Sequence, residues 1–174
     1  MFKFAVITDT HIRAPDGDLS SPFPVNEKAN ARARYACQLI QAQTPDFTVH
    51  LGDMVHPLPH MNAYQDAVAE AHEIFKPLKP NLYFVPGNHD IGDKPSPGMP
   101  AKAASTESVS LYESSFGPGW QSFTHQGVLF VVINSSLVNS GTEQEAEQQS
   151  WLEQTLRDSN AKFVLASFAA LPLA

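Results

Sequence analysis

Residues 4–11 read Phe-Ala-Val-Ile-Thr-Asp-Thr-His, an apolar run that ends in an acidic residue and an imidazole. The same order occurs twice more, where residues 47–51 precede Gly52-Asp53 and residues 82–85 precede Gly87-Asn88-His89-Asp90. Short apolar runs bounded by polar residues are typical of buried strands. Three predicted strands therefore each lead into residues that can bind a metal ion.

Two helical segments separate these predicted strands. Residues 26–43 are rich in Ala, Arg and Gln, and residues 64–75 have the apolar spacing of an amphipathic helix. The alternation of strand and helix predicts an α/β fold with right-handed crossovers and a mostly parallel sheet. Ligands bind such sheets beyond the carboxyl ends of the strands, so we expect Asp9, Asp53 and Asn88 to meet there.

The side chains that face the core can also be predicted from helical spacing. In the first helix we expect three on the inner face: Tyr35, Leu39 and Ile40. The second half of the chain predicts a short helix at 108–115, a hairpin from 122–125 and 127–133, a helix within 140–157 and a strand at 162–168. Its longer helix is expected to turn four side chains inward: Trp151, Leu152, Thr155 and Leu156.

Composition limits the class of protein. A chain of 174 residues with 43% hydrophobic and 17% charged residues predicts one globular domain over residues 1–174. A net charge of −7 without a block of Lys or Arg predicts no nucleic-acid partner. Without an apolar stretch of ~20 residues or a recognisable signal peptide, we expect no membrane span and a cytoplasmic location. The single cysteine, Cys37, is interpreted as a small buried hydrophobe.

The polar clusters favour a metal site. Asp9 and His11 stand at i and i+2, which in an extended segment places both side chains on one side. Hard oxygen ligands mixed with imidazoles suit Mn, Fe, Zn or Mg better than Cu(I) or an iron–sulfur cluster. Each cluster alone is also compatible with an ordinary turn, and Gly52-Asp53 is a common turn pair. Together, in this order and each at a strand end, they predict a site.

The three clusters resemble the D-x-H, G-D and G-N-H-D motifs of the calcineurin-like metallophosphoesterases. Residues 147–156 also resemble a helix of the cyclic-nucleotide-phosphodiesterase-like branch of that family. The resemblance implies an αββα sandwich with two mixed sheets, the second of them incomplete. It implies metal-dependent hydrolysis of phosphoesters by a phosphodiesterase or broad-specificity phosphatase, with a small phosphoester such as a nucleotide as substrate.

The resemblance also assigns roles to individual residues. Asp9 and His11 would hold a first divalent ion, Asp53 would bridge to a second, and Asn88 would bind that second ion. His89 would stand off the ions and donate a proton to the leaving-group oxygen, or steady the phosphoryl oxygens. Up to two ions of Mn, Fe, Zn or Mg are implied. Two further residues would support the site from behind the ligands: His56 and Asp90.

The chain departs from the family pattern in its last residues. The family continues with a lone His and a G-H-x-H motif, whereas residues 167–172 contain no His and the sequence ends at Ala174. The favoured explanation is a fragment or altered reading frame of a phosphoesterase. The alternatives are a catalytically impaired binding or regulatory protein with a partial metal site, and a site completed by another chain. An uncovered sheet edge would favour association, which predicts a homodimer.

Overall fold

Two three-stranded sheets organise the chain, one in the unit Met1–Phe84 and one in the unit Val85–Ala174. The computed structural model describes residues 1–17, 24–93, 103–167 and 169. The predicted α/β fold class is confirmed. Among the described residues, no helix combines the length and apolar character needed to cross a lipid bilayer.

The first unit alternates strands and helices as the sequence predicts. Its elements, in chain order, are β1 (Phe4–Ile7), a 3-10 helix (Pro24–Lys28), α1 (Ala29–Ala42), β2 (Phe47–His50), α2 (Tyr64–Phe75), a 3-10 helix (Lys76–Leu78) and β3 (Leu82–Phe84). The strands lie in the order β1-β2-β3 and both pairings are parallel. The central strand β2 is buried along its whole length, because parallel sheets are covered on both faces. The expected parallel sheet is confirmed.

The inner face of α1 differs from the prediction. The buried residues are Ala29, Ala33 and Cys37, which recur every fourth position and so lie on one side of the helix. Tyr35 and Leu39 are 62% and 51% exposed, so their predicted inward placement is wrong. Small side chains let a helix approach its neighbours closely, and here that advantage outweighs the burial of the larger ones. Burial raises the pKa of the Cys37 thiol to about 11, which confirms its interpretation as a buried hydrophobe.

The second unit contains a mixed sheet. Its elements are α3 (Asn88–Ile91), α4 (Thr106–Phe116), β4 (Gln121–His125), β5 (Val128–Val132), a 3-10 helix (Ser135–Leu137), α5 (Glu143–Asp158) and β6 (Phe163–Ser167). β4 and β5 form the predicted antiparallel hairpin, and β6 pairs with β5 in parallel. Gln126 and Gly127 both have positive φ, which a tight hairpin turn requires. The short helix α3 was not predicted.

Burial in the second unit also departs from expectation. In α5 the buried residue is Gln148, whose side-chain amide exchanges two hydrogen bonds with the main chain of Asn134. Leu156 is exposed, contrary to the prediction. Strand β6 leaves Phe163 exposed over 70% of its surface, and its two following residues are exposed as well. The predicted homodimer is not tested by these observations and stays a prediction.

Candidate metal centre

The segments that follow β1 and β2 run side by side beyond the ends of the strands. The N–H of Asp9 donates to the carbonyl of Gly52 at 3.1 Å, and the N–H of His11 donates to the carbonyl of Asp53 at 3.0 Å. A parallel bridge between Ile12 and Val55 continues the pairing. The sheet register therefore carries the first two predicted clusters to the same place.

The backbone of this region is strained at the predicted ligands. Asp9, His11 and Asp53 have φ values of 52°, 43° and 56°, in the left-handed region that residues other than glycine rarely adopt. The extended conformation expected for Asp9 to His11 is therefore wrong. Such conformations cost free energy and persist where the surrounding structure imposes them, most often at functional sites. Their coincidence at all three residues is independent support for a site.

The three side chains converge in spite of the altered backbone. His11 Nε2 lies 3.7 Å from Asp9 Oδ1 and 3.8 Å from Asp53 Oδ2. These distances are too long for hydrogen bonds but suit ligands that share one ion. Asp53 is 14% exposed and Asp9 is 60% exposed, so Asp53 is the more firmly enclosed carboxylate. One imidazole and two carboxylates fit a divalent cation such as Mn, Fe or Zn.

His56 stands near this group. Its ring centroid is 6.5 Å from that of His11, with the rings in an edge-to-face arrangement. Its main-chain N–H donates to the carbonyl of Ile12 at 2.9 Å, which fixes the segment after Asp53 against the segment after His11. The supporting role predicted for the His56 side chain stays a prediction.

His50 is the last residue of β2 and is fully buried. It lies next to the two segments that carry the predicted ligands, residues 8–12 and 52–56, which are called the ligand segments below. Its ring packs against Phe75 and Phe84, with centroids 5.2 Å and 6.1 Å away. Burial above all, and the neighbouring His11 second, lower the pKa of His50 to about 3. The imidazole is therefore neutral in the folded chain at any pH near neutrality.

This pKa predicts a loss of stability in mild acid. The unfolded chain takes up a proton at His50 near pH 6.5 whereas the folded chain does not, so stability falls as pH drops from about 6.5 towards 3. Between pH 7 and pH 5, His50 alone should reduce the free energy of unfolding by about 2 kcal/mol. Urea unfolding in EDTA measures this. His50→Gln should lose that component of the pH dependence, and His60→Gln, on the exposed surface, should keep it. Equal pH dependence of wild type and His50→Gln would contradict the prediction.

The third predicted cluster lies in the second unit, on α3. Asp90 is fully buried and its Oδ2 accepts the N–H of Gly87 at 2.8 Å, which closes the turn before the helix. The side-chain amide of Asn88 donates to Asp93 Oδ2 at 3.3 Å. This bond turns the Asn88 N–H group to Asp93, and the carbonyl oxygen on the other side of the amide is the atom with which an asparagine can bind a metal ion. His89 is half-buried beside it. The predicted meeting of Asn88 and His89 with the first two clusters stays a prediction.

Several residues that contact the candidate ligands, or the segments that carry them, were missed in the sequence. Thr8 Oγ1 donates to Asp9 Oδ2 at 2.5 Å, and Thr10 contacts both His50 and the main chain of Met54. Asp93, which orients Asn88, lies in a stretch without a recognised motif. Carboxylates and hydroxyls of this kind orient metal ligands from behind. The one available signal was position, since Thr8 and Thr10 flank Asp9.

Comparison with known proteins adds independent evidence. The sequence model of calcineurin-like phosphoesterases matches residues 2–172. A serine/threonine-protein phosphatase CPPED1 from Bos taurus is 30% identical over 134 residues, which are 71% of this chain and 40% of that protein. The Mus musculus protein of the same name is 30% identical over 68% of this chain and 36% of its own length. The chain thus spans about two fifths of the length of these curated relatives.

Solved structures share the fold. Purple acid phosphatase PPD1 from yellow lupin superposes with a TM-score of 0.59 at 15% identity, covering 95% of this chain and 29% of that one. A dimetal phosphatase from Danio rerio superposes with a TM-score of 0.55 at 19% identity, covering 91% of this chain and 53% of that one. At these identities the likeness concerns the fold.

Proposed function

We propose, because this chain belongs to the calcineurin-like phosphoesterase family, that its site serves metal-dependent hydrolysis of phosphoesters. The observation that carries the proposal is the convergence of Asp9, His11 and Asp53, all with left-handed backbone, on segments joined by hydrogen bonds. Positive φ at three potential ligands costs free energy. It is accounted for if their side chains must meet at one ion.

Four residues would hold divalent ions in this proposal. Asp9 and His11 would serve a first ion, Asn88 a second, and Asp53 both, because its two carboxylate oxygens can face different ions. Divalent ions in such sites supply Lewis acidity toward phosphoryl oxygens and a more acidic water. The hydrogen bond from Asn88 to Asp93 supports this assignment, since it holds the side-chain amide through its N–H group and so orients the carbonyl oxygen. We keep Mn, Fe, Zn and Mg as the candidate metals.

His89 would act on the leaving group. An imidazole next to a metal ligand can donate a proton to the departing ester oxygen, which avoids release of a strongly basic alkoxide. Asp90 supports this role through the turn, since its buried carboxylate holds the N–H of Gly87 and so sets the start of the helix that carries His89. No covalent intermediate with a side chain is required.

The candidate substrates fall into two classes, phosphodiesters and phosphomonoesters. The sequence favours a phosphodiesterase or a broad-specificity phosphatase acting on small phosphoesters, including nucleotides. The matched relatives are named serine/threonine-protein phosphatases, and a phosphorylated serine or threonine is a phosphate monoester. We retain both classes for the test, because the described site contains no feature that excludes a second ester group.

A binding or regulatory role with a partial metal site is the alternative. The specific observation in its favour is the small ligand set of the first unit, where one imidazole and two carboxylates are described and Asp9 is largely exposed. A site of this kind would hold one ion more weakly than a full binuclear site. It would bind phosphate groups without hydrolysing them at a useful rate.

Metal stoichiometry and hydrolysis together test the proposal. The 174-residue chain is saturated with Mn²⁺, freed of excess metal, and analysed for metal content. It is then assayed on p-nitrophenyl phosphate and bis-p-nitrophenyl phosphate, with an EDTA-treated sample as control. Two ions per chain and hydrolysis that EDTA abolishes support the proposal, and the faster ester sets the class. One ion without hydrolysis supports the binding role. No bound ion contradicts both.

A further inference from the structure

The hydroxyl of Thr10 lies at the junction of the two ligand segments. Thr10 stands between Asp9 and His11 in the sequence and is 9% exposed. Its Oγ1 donates to the carbonyl of Met54, the residue after Asp53, at 3.0 Å. The same oxygen lies 2.9 Å from Nε2 of the buried His50. One side chain therefore links the segment of the first two ligands to the segment of the third.

The direction of these hydrogen bonds follows from proton counting. A threonine hydroxyl has one proton, and Thr10 gives it to the carbonyl of Met54. The contact with His50 must then be a bond in which Nε2–H donates and Thr10 accepts. His50 is accordingly the Nε2–H tautomer. The Thr10 hydroxyl and the Nε2–H of His50 are thus both paired in a buried setting, whereas Nδ1 of His50 has no hydrogen-bond partner among the described residues.

The ligand positions depend on how these two segments are set against each other. His11 and Asp53 come from different segments, and their ligand atoms are 3.8 Å apart. Main-chain hydrogen bonds join the two segments, and one of them runs from the N–H of Ile12 to the carbonyl of Met54 at 2.8 Å. The Thr10 hydroxyl adds a side-chain link, to the same carbonyl and to the buried ring of His50. The segments are therefore held to each other and to β2 by a side chain as well as by the main chain.

We infer that Thr10 is a positioning residue of the metal site, which holds His11 and Asp53 at ion-sharing distance through its hydroxyl. The inference rests on the proposed function and deepens it. Loss of the hydroxyl would leave the His50 Nε2–H without its partner in the interior, while the Met54 carbonyl would keep the N–H of Ile12, 2.8 Å away. The ligand segments would shift to relieve this, and metal affinity would fall. Groups that orient metal ligands from behind contribute on the order of 10- to 100-fold in affinity.

Three variants test this inference through Mn²⁺ affinity, measured by electron paramagnetic resonance of the free ion. Thr10→Val keeps the shape and removes the hydroxyl, and it should weaken Mn²⁺ binding about 10-fold or more. Thr10→Ser restores the hydroxyl and should bind within about threefold of wild type. Thr48→Val is the matched control, since Thr48 is also a buried threonine but lies in the half of β2 that is farther along the chain from Asp53. It should leave the affinity unchanged.

The outcomes separate the inference from the proposed function. A wild-type chain that binds no Mn²⁺ overturns the proposed function and this inference with it. Wild-type binding that Thr10→Val leaves intact overturns the inference alone, as does a Thr10→Ser variant that binds as poorly as Thr10→Val. If Thr10→Val does not fold, the ¹⁵N shifts of His50 in the wild-type chain decide. The Nε2–H tautomer supports the inference, and the Nδ1–H tautomer overturns it.

Discussion

Replacement of Asp53 by Asn should lower the affinity of the chain for Mn²⁺ by on the order of 10²-fold or more while leaving the fold intact. Asp53 is the most enclosed of the three converging groups and lies 3.8 Å from His11 Nε2. Asparagine has nearly the same shape but carries no charge and offers one oxygen in place of two. If Asp53 serves both ions, their binding should fail together, and hydrolysis should fall with it.

The choice of asparagine separates ligation from backbone strain. Asp53 has a φ of 56°, a conformation that asparagine tolerates and alanine does not. Asp53→Ala would therefore lose stability as well as a ligand, and its weaker binding would have two explanations. Asp66→Asn is the matched control, because it removes one charge from an exposed position of α2 in the same unit. Isothermal titration with Mn²⁺ measures all three chains. Equal affinities of wild type and Asp53→Asn would remove Asp53 from the metal site.

Local sequence was sufficient to predict the strands and the turns that end them. The apolar runs before Asp9, Asp53 and Asn88 form β1, β2 and β3, because short β-branched and aromatic stretches favour buried strands whatever their neighbours. The hairpin at Gln126-Gly127 could be predicted equally well, since a glycine between two apolar runs supplies the positive φ that its turn needs. Parallel pairing then placed two of the clusters side by side.

The burial of individual side chains could be predicted less well from the sequence, because it depends on what each element packs against. Periodicity alone allows more than one face of α1 to be the buried one. The face of Tyr35 and Leu39 was predicted because these side chains are the larger ones. The structure selects the stripe of Ala29, Ala33 and Cys37. A hydrophobic residue lowers the free energy only where a partner surface exists, and the sequence of a helix does not contain that surface.

The fine geometry of the candidate site could not be predicted for a related reason. The left-handed conformations of Asp9, His11 and Asp53 run against their local preference and are imposed by hydrogen bonds to a segment about forty residues away. The contact of Thr10 with His50 likewise joins residues that are distant in the chain. Motif spacing identified the candidate ligands, whereas the means by which they are held had to come from the structure.

His89→Ala should reduce the rate of hydrolysis by 10²- to 10⁴-fold while leaving Mn²⁺ affinity nearly unchanged. The proposal gives His89 a proton to donate and no ion to hold, so its loss should appear in kcat. The size of the loss should depend on the leaving group. p-Nitrophenolate departs readily without a proton, whereas an alkoxide does not, so an alkyl phosphate should lose far more rate than p-nitrophenyl phosphate.

This dependence on the leaving group distinguishes proton donation from a general disturbance of the site. A change that merely displaced Asn88, its neighbour on α3, would weaken metal binding and slow both substrates alike. His60→Ala provides the matched control, since it removes an imidazole from an exposed position and should change neither rate nor affinity. Equal losses on the two substrates would rule out proton donation by His89. The remaining role for His89 would be to steady the phosphoryl oxygens. An unchanged rate on both substrates would remove His89 from the proposed reaction.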